Sequence, residues 1–282
     1  MPKLLQLHLL VALWSLTGIL SQFINLEIGS LVFWRTTLAT ATLALILKLR
    51  RQPLLLPNNH LPLALVSGFL LGIHWLCFFG AIAVSNVSVG LAGFASTSLF
   101  TALLEPLFEK RRLRTREITL ALLGGSGLLI IFGADTRVPN ASLGIAIALL
   151  GALLAALYSL ISRKLVLAQI PGPQIILTQL PASTLAALLT LPVLPFSPPA
   201  PTDWPWLLIL SLACTVFAYL WYARLLQSLT AYTTNLAINF EPVYGILMAA
   251  ALFHEHHSLT PQFYLGTLTI LAANFLHSFK PQ

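Results

Sequence analysis

The chain has 282 residues, of which 57% are hydrophobic and 8% charged, with a mean hydropathy of +0.88. A soluble domain carries about 25% charged residues, so 15 Lys and Arg with 8 Asp and Glu cannot furnish a water-facing surface. A soluble enzyme, a disordered chain and a nucleic-acid binder are excluded, and the net charge of +7 bears on how the chain sits in a bilayer.

A membrane-spanning helix takes about 20 apolar residues. In chain order, the apolar runs between Pro, Gly, Asn and charge clusters predict spans at 4–23, 30–49, 61–83, 89–108, 118–134, 142–163, 173–194, 204–226, 232–253 and 262–279. The first follows Lys3 and ends without a small-x-small cleavage site, so it reads as a retained helix rather than a signal peptide. The seventh is interrupted by Pro181 and Pro192. The runs are continuous rather than alternating, which predicts helices and not strands. The expected fold is an all-α polytopic membrane protein of ten transmembrane helices, with no room left for an extramembrane domain. Cys77 and Cys214 both fall inside apolar runs, so no disulfide framework or CxxC metal site is expected.

The cationic residues orient these spans. With a cytoplasmic N-terminus, Lys3, Lys48, Arg50, Arg51, Lys110, Arg111, Arg112, Arg114, Arg116, Arg163, Lys164 and Lys280 fall on one side, and Arg137 alone on the other. Such a bias is the positive-inside pattern and requires an even number of spans, placing both termini in the cytoplasm. The acidic residues Glu27, Asp135, Asp203 and Glu255 fall on the outer side. Arg35 and Arg224 fall within spans.

The two halves echo each other. Leu13-Trp14-Ser15-Leu16 in the first span matches Leu157-Tyr158-Ser159-Leu160 in the sixth, an offset of 144, and at that offset Arg35 corresponds to Gln179. Ser85 matches Ser228 at an offset of 143, and Glu109 matches Glu255 at 146, each Glu being followed four residues later by Leu113 or Leu259. The near-constant offset defines two repeats, 1–138 and 139–282. Five spans per repeat is an odd number, so the second repeat is expected upside down. The turn after Glu109 reads Lys-Arg-Arg-Leu-Arg-Thr-Arg, whereas the turn after Glu255 reads His-His-Ser-Leu-Thr-Pro-Gln. Inverted repeats are a recurring plan of secondary transporters, whose halves rock about a midplane site.

Phe79-Gly80-Ala81-Ile82, Ser85 to Ser88, Ser98 to Leu104 and Glu109 form one half-specific pattern. Trp221-Tyr222, Ser228, Glu241-Pro242-Val243, Glu255, Leu259-Thr260-Pro261-Gln262 and Gly266 form the other. On these, and on ten short-looped spans in two inverted halves, the chain resembles the drug/metabolite transporter superfamily in its EamA-like branch over essentially its whole length. It departs at Ser96 to Ser98, where many members carry a proline. The resemblance implies a secondary transporter rather than an enzyme, exporting small polar organic solutes such as amino acids or related metabolites. It also implies a bacterial inner (plasma) membrane and a monomer or homodimer.

An ionisable group at span depth is costly and by default faces the bundle interior or a cavity. Glu241 lies about nine residues into its span, roughly 14 Å at 1.5 Å per residue and so near the midplane. Pro242 follows it, removes a backbone hydrogen bond and permits a helix kink; Pro106 after Glu105 repeats the pattern nearer the inner end. Glu241 is placed to bind a cation or ammonium group, to carry a proton, or to pair with Arg35. Arg35 is placed to pair with Glu241 or to hold a substrate carboxylate in its fork of donors. His74 offers a titrating or donating imidazole, or a hydrogen bond between helices. Trp14 and Tyr158 wall a cavity or simply pack. Asn235 and Asn239 share a helix face, and Gln179 occupies the position equivalent to Arg35. Glu105 and Arg224, both near inner ends, pair with each other or snorkel.

The cluster His254-Glu255-His256-His257 does not fit HExxH, and three ligands in four residues share no face of an α-helix, so it reads as a polar helix terminus and no metal is expected. Gly68 and Gly72 form a GxxxG for close helix approach, within or between protomers. No Walker A pattern occurs, so no internal ATP motor and no cofactor is expected. The expected partners are a small-molecule substrate, the lipid bilayer and protons. The alternatives are a nucleotide-sugar or organophosphate carrier, which needs several mid-depth cations where only Arg35 qualifies, a membrane-embedded lipid-modifying enzyme, and a non-transporting assembly or signalling subunit.

Overall fold

The computed structural model describes residues 2–133, 137–193, 195–226, 237–238 and 240–278, and its regular elements are all helical. They are α1 (Lys3–Ser21), α2 (Ile28–Leu49), α3 (Leu61–Val84), α4 (Val87–Phe94), α5 (Thr97–Phe108), α6 (Thr115–Phe132), α7 (Ala141–Leu167) and α8 (Gly172–Leu188). Then come α9 (Trp204–Leu208), a π-helical stretch (Ile209–Phe217), α10 (Ala218–Leu226), α11 (Glu241–Phe253), a 3₁₀ turn (Glu255–His257) and α12 (Pro261–Ser278). Among the described residues, six helical stretches are long and apolar enough to cross a membrane: Lys3–Ser21, Ile28–Leu49, Leu61–Val84, Val87–Phe108, Ala141–Leu167 and Trp204–Tyr222. The chain is an integral membrane protein.

The predicted fourth span is two helices end to end. The break at Ala95–Ser96 replaces a regular bond by a shorter one, Ser96 N–H to the Gly93 carbonyl at 3.2 Å. The Ala95 carbonyl at the break accepts from Asn274 Nδ2 of α12 at 2.8 Å, so α12 supplies the partner the helix loses. At the start of α4, Val87 and Ser88 N–H donate to the Glu255 carboxylate at 3.0 and 2.8 Å, and Val89 N–H donates to Asn86 Oδ1 at 2.9 Å. Three amides left without helical acceptors are thereby satisfied, two of them by a residue of the other repeat.

Small residues let the helices approach closely within the chain. A Cβ on Gly72 would stand 2.7 Å from the Ser183 Cα and the Ala186 Cβ of α8, and one on Gly68 would run into the Gln179 backbone. The GxxxG is thus the seam between α3 and α8. Gly127 of α6 and Gly266 of α12 form a second seam, where a Cβ on either would lie within 2.7 Å of the other's carbonyl oxygen.

One apolar core gathers Leu43 and Leu47 of α2, Trp75 and Phe79 of α3, Leu180 of α8 and Leu210 of the π stretch. A second gathers Leu99, Ile131, Ile145, Phe263 and Ile270 around α12. At the end of α5, Arg111 pairs with Glu109 at 3.0 Å and Glu117 at 2.7 Å, and Arg163 of α7 pairs with Glu105 and Glu109. The hydrogen bonds that Arg111 donates to Glu117 and Glu109 hold its guanidinium above its ordinary pKa, so it stays charged at any working pH. The ion pairs of Glu105 are with Arg163 and Arg111, while Arg224 is exposed and lines a pocket of about 350 Å³ with Arg50 and Gly172.

Candidate functional site

Arg35 is an ionisable group buried inside the bundle. It sits on the buried face of α2 at 2% exposure. Its Nε donates to Thr215 Oγ1 at 3.0 Å, and its guanidinium lies over the Trp75 ring at 4.3 Å and near Phe79 at 5.6 Å. A cation against desolvated aromatic faces gains about 2 kcal/mol or more, which offsets part of the cost of burial. Its Nη1 is buried and has no hydrogen-bond partner. A buried charged donor without an acceptor is expensive, and it marks a place where an anion would be welcome.

Thr215 reaches Arg35 from the π stretch, where its hydroxyl donates to the Leu210 carbonyl five residues back at 3.0 Å. Such π turns commonly mark functional positions, because the extra residue per turn re-aims a side chain. Nothing in the apolar run Ile209–Phe217 signals this.

Glu241 is half-buried and opens α11, with Pro242 in the first turn. A proline there loses no helical bond, and α11 begins directly after Phe240, whose N–H donates to the Ala237 carbonyl at 3.0 Å. Pro242 therefore stands in the first turn of a helix, whereas Pro106 lies inside α5. The positive end of the α11 dipole favours a carboxylate at Glu241. Its backbone carbonyl accepts from Ser15 of α1 at 2.8 Å. Glu241 and Arg35 lie near enough for their charges to interact but form no ion pair, the ion pairs among the described residues being those of Arg111 and Arg163.

Aromatic rings join these groups. Trp14 meets Tyr219 at 5.9 Å and Tyr222 at 5.3 Å, and Tyr158 stacks on His74 at 6.2 Å. His74 also stacks on Phe94 at 5.1 Å, and its Nδ1 donates to the Gly151 carbonyl at 3.0 Å. That bond fixes the tautomer, because a carbonyl can only accept. Trp14, Tyr158, Tyr219 and Tyr222 are half-buried. An apolar groove of about 430 Å³ lies elsewhere, between Phe69 of α3 and Leu185 of α8, and holds no ionisable group.

The structure thus gathers Trp14, Arg35, His74, Tyr158 and Glu241 into one region where the two halves of the chain meet. It adds Thr215, Trp75, Tyr219 and Tyr222, none singled out for this role by the sequence. Gln179 is fully buried, and its Nε2 donates to Ser67 and Ser162 at 2.7 Å each, tying α8 to α3 and α7. Asn235 and Asn239 lie outside the described residues.

A profile described as the EamA-like transporter family matches residues 2–133 and again 142–279. A solved structure titled "Crystal structure of protein" superposes with a TM-score of 0.66 over 98% of this chain and 96% of its own, at 19% identity. That likeness shows a shared fold. No curated protein matches the chain.

Proposed function

Because the chain belongs to the EamA-like transporter family, and so to the drug/metabolite transporter superfamily, we propose that it is a secondary transporter that exports small polar organic solutes such as amino acids or related metabolites. In this reading ten spans form two inverted repeats in a bacterial inner membrane, both termini are cytoplasmic, and the halves rock about the region between Arg35 and Glu241.

The observation that carries the reading is the free Nη1 of Arg35, buried between the halves with its Nε held by Thr215 and its face covered by Trp75. A guanidinium so held presents donors suited to a carboxylate. Glu241, unpaired with Arg35 and lying in the same aromatic region, supplies the opposite charge for an ammonium group or a proton. The half-buried Trp14, Tyr158, Tyr219 and Tyr222 offer ring faces to a cationic or apolar part of the solute. A zwitterion thus meets one partner for each charge.

The test is a thermal-shift screen of the purified chain across amino acids, amines, nucleosides and organophosphates, since a ligand bound to the folded state raises its apparent stability. Stabilisation by α-amino acids that disappears in Arg35→Gln, together with their efflux from proteoliposomes, is the expected result. Hits confined to phosphorylated compounds would move the assignment to an organophosphate carrier. Absence of any solute-dependent shift or flux would remove transport.

A further inference from the structure

We propose that His254, His256 and His257 form a binding site for one divalent transition-metal ion of the zinc class. The site lies at the end of the Val87–Phe108 stretch opposite the basic loop that begins at Lys110. Each histidine is exposed and offers a ring nitrogen, and the three nitrogens lie within 4.8 Å of one another. An α-helix would spread these residues around its circumference, but the chain here is not α-helical. His254 adopts a left-handed conformation with φ 55°, uncommon outside glycine, and Glu255–His257 forms a 3₁₀ turn. The tighter turn brings the His256 and His257 rings to 4.0 Å between centroids and carries His254 to within 6.3 Å of His257.

The second coordination layer is already in place for one ligand. His256 Nδ1 lies 3.2 Å from the Ala250 carbonyl, which can only accept, so Nδ1 carries the proton and Nε2 keeps its lone pair for a metal. Three neutral imidazoles suit zinc(II) and its neighbours, whereas hard cations such as magnesium take oxygen ligands. Zinc–nitrogen bonds are about 2.0–2.1 Å, so modest rotation of these exposed rings closes the triad, with the fourth position left to water. Glu255, between the ligands, is committed to the Val87 and Ser88 amides and is not needed as a ligand. A metal here therefore stiffens the turn that carries the Glu255 contact between the repeats. The site does not depend on the proposed transport activity.

The test uses the full chain in detergent, purified without a histidine tag, titrated calorimetrically with zinc(II). One saturable ion per chain is expected, with a higher unfolding temperature in its presence and no response to magnesium. His254→Asn, which tolerates the left-handed conformation, and His256→Ala should each weaken zinc binding by about tenfold or more, while His60→Gln leaves it unchanged. Absence of saturable zinc binding, or affinity preserved in the His254→Asn/His256→Ala double variant, would overturn the proposal.

Discussion

Arg35 and Thr215 join the two halves of the chain through a single hydrogen bond of 3.0 Å, and the π turn decides where that bond can form. The Thr215 hydroxyl donates to the carbonyl of Leu210, five residues back rather than the four of an α-helix, and keeps a lone pair for Arg35 Nε. With Nε engaged and Trp75 over its face, the guanidinium has a set orientation, and Nη1 remains without an acceptor.

Thr215→Val keeps the shape of the side chain and removes the acceptor. A hydrogen bond to a charged group contributes about 1.5–3 kcal/mol, so solute affinity should fall by about tenfold or more, read as a reduced thermal shift at fixed ligand. Thr215→Ser should retain most of it. Equal shifts for wild type and the Val variant would show that this bond does not position Arg35.

Glu241→Gln removes a titrating group while preserving shape. If Glu241 carries the coupling proton, wild-type flux in proteoliposomes varies with pH, and the Gln variant, locked neutral, gives a flat profile. A variant that transports with the full wild-type pH dependence would separate the proton path from Glu241.

Gly72→Val drives a side chain into Ser183 and Ala186 across the α3–α8 seam, where even a Cβ lies at 2.7 Å. Overpacking of this kind costs about 1–3 kcal/mol or more, so the unfolding temperature and the yield of monodisperse protein should both drop. Gly125→Val places its Cβ where nothing lies within 4 Å, and should behave as wild type. Equal behaviour of the two variants would refute close packing at this seam.

Glu255→Ala strips two amides at the start of α4 of their acceptor. Loss of a helix cap costs about 0.5–2 kcal/mol, and exchange of the Val87 and Ser88 amides with solvent should accelerate against an unchanged α3. Unchanged protection at both amides would show that water replaces the carboxylate without cost.

Much of the site follows from one rule readable in the sequence: ionisable groups inside apolar runs are rare and must meet something. It singles out Arg35, His74 and Glu241, and the repeat adds Trp14 and Tyr158. Thr215, Tyr219 and Trp75 are not singled out, and Tyr222 enters only through the resemblance, because hydroxyls and rings are ordinary in apolar helices; their significance comes from which neighbours they face. Gln179, which corresponds to Arg35 in register, ties three helices together through Ser67 and Ser162, a packing role that repeat symmetry does not record. At His254–His257, reasoning from α-helical spacing separates rings that a left-handed residue and a 3₁₀ turn bring together.

Composition and charge order alone determine that this chain lives in a membrane and repeats itself, because hydropathy and register are properties of the line of residues. The tertiary structure decides which charges stay apart. Arg35 and Glu241 can pair as far as the sequence goes, but the π turn offers Arg35 a hydroxyl instead, and the start of α11 sets Glu241 at a helix N-terminus. An ion pair needs contact, and contact depends on where turns and breaks place side chains, which no periodicity records.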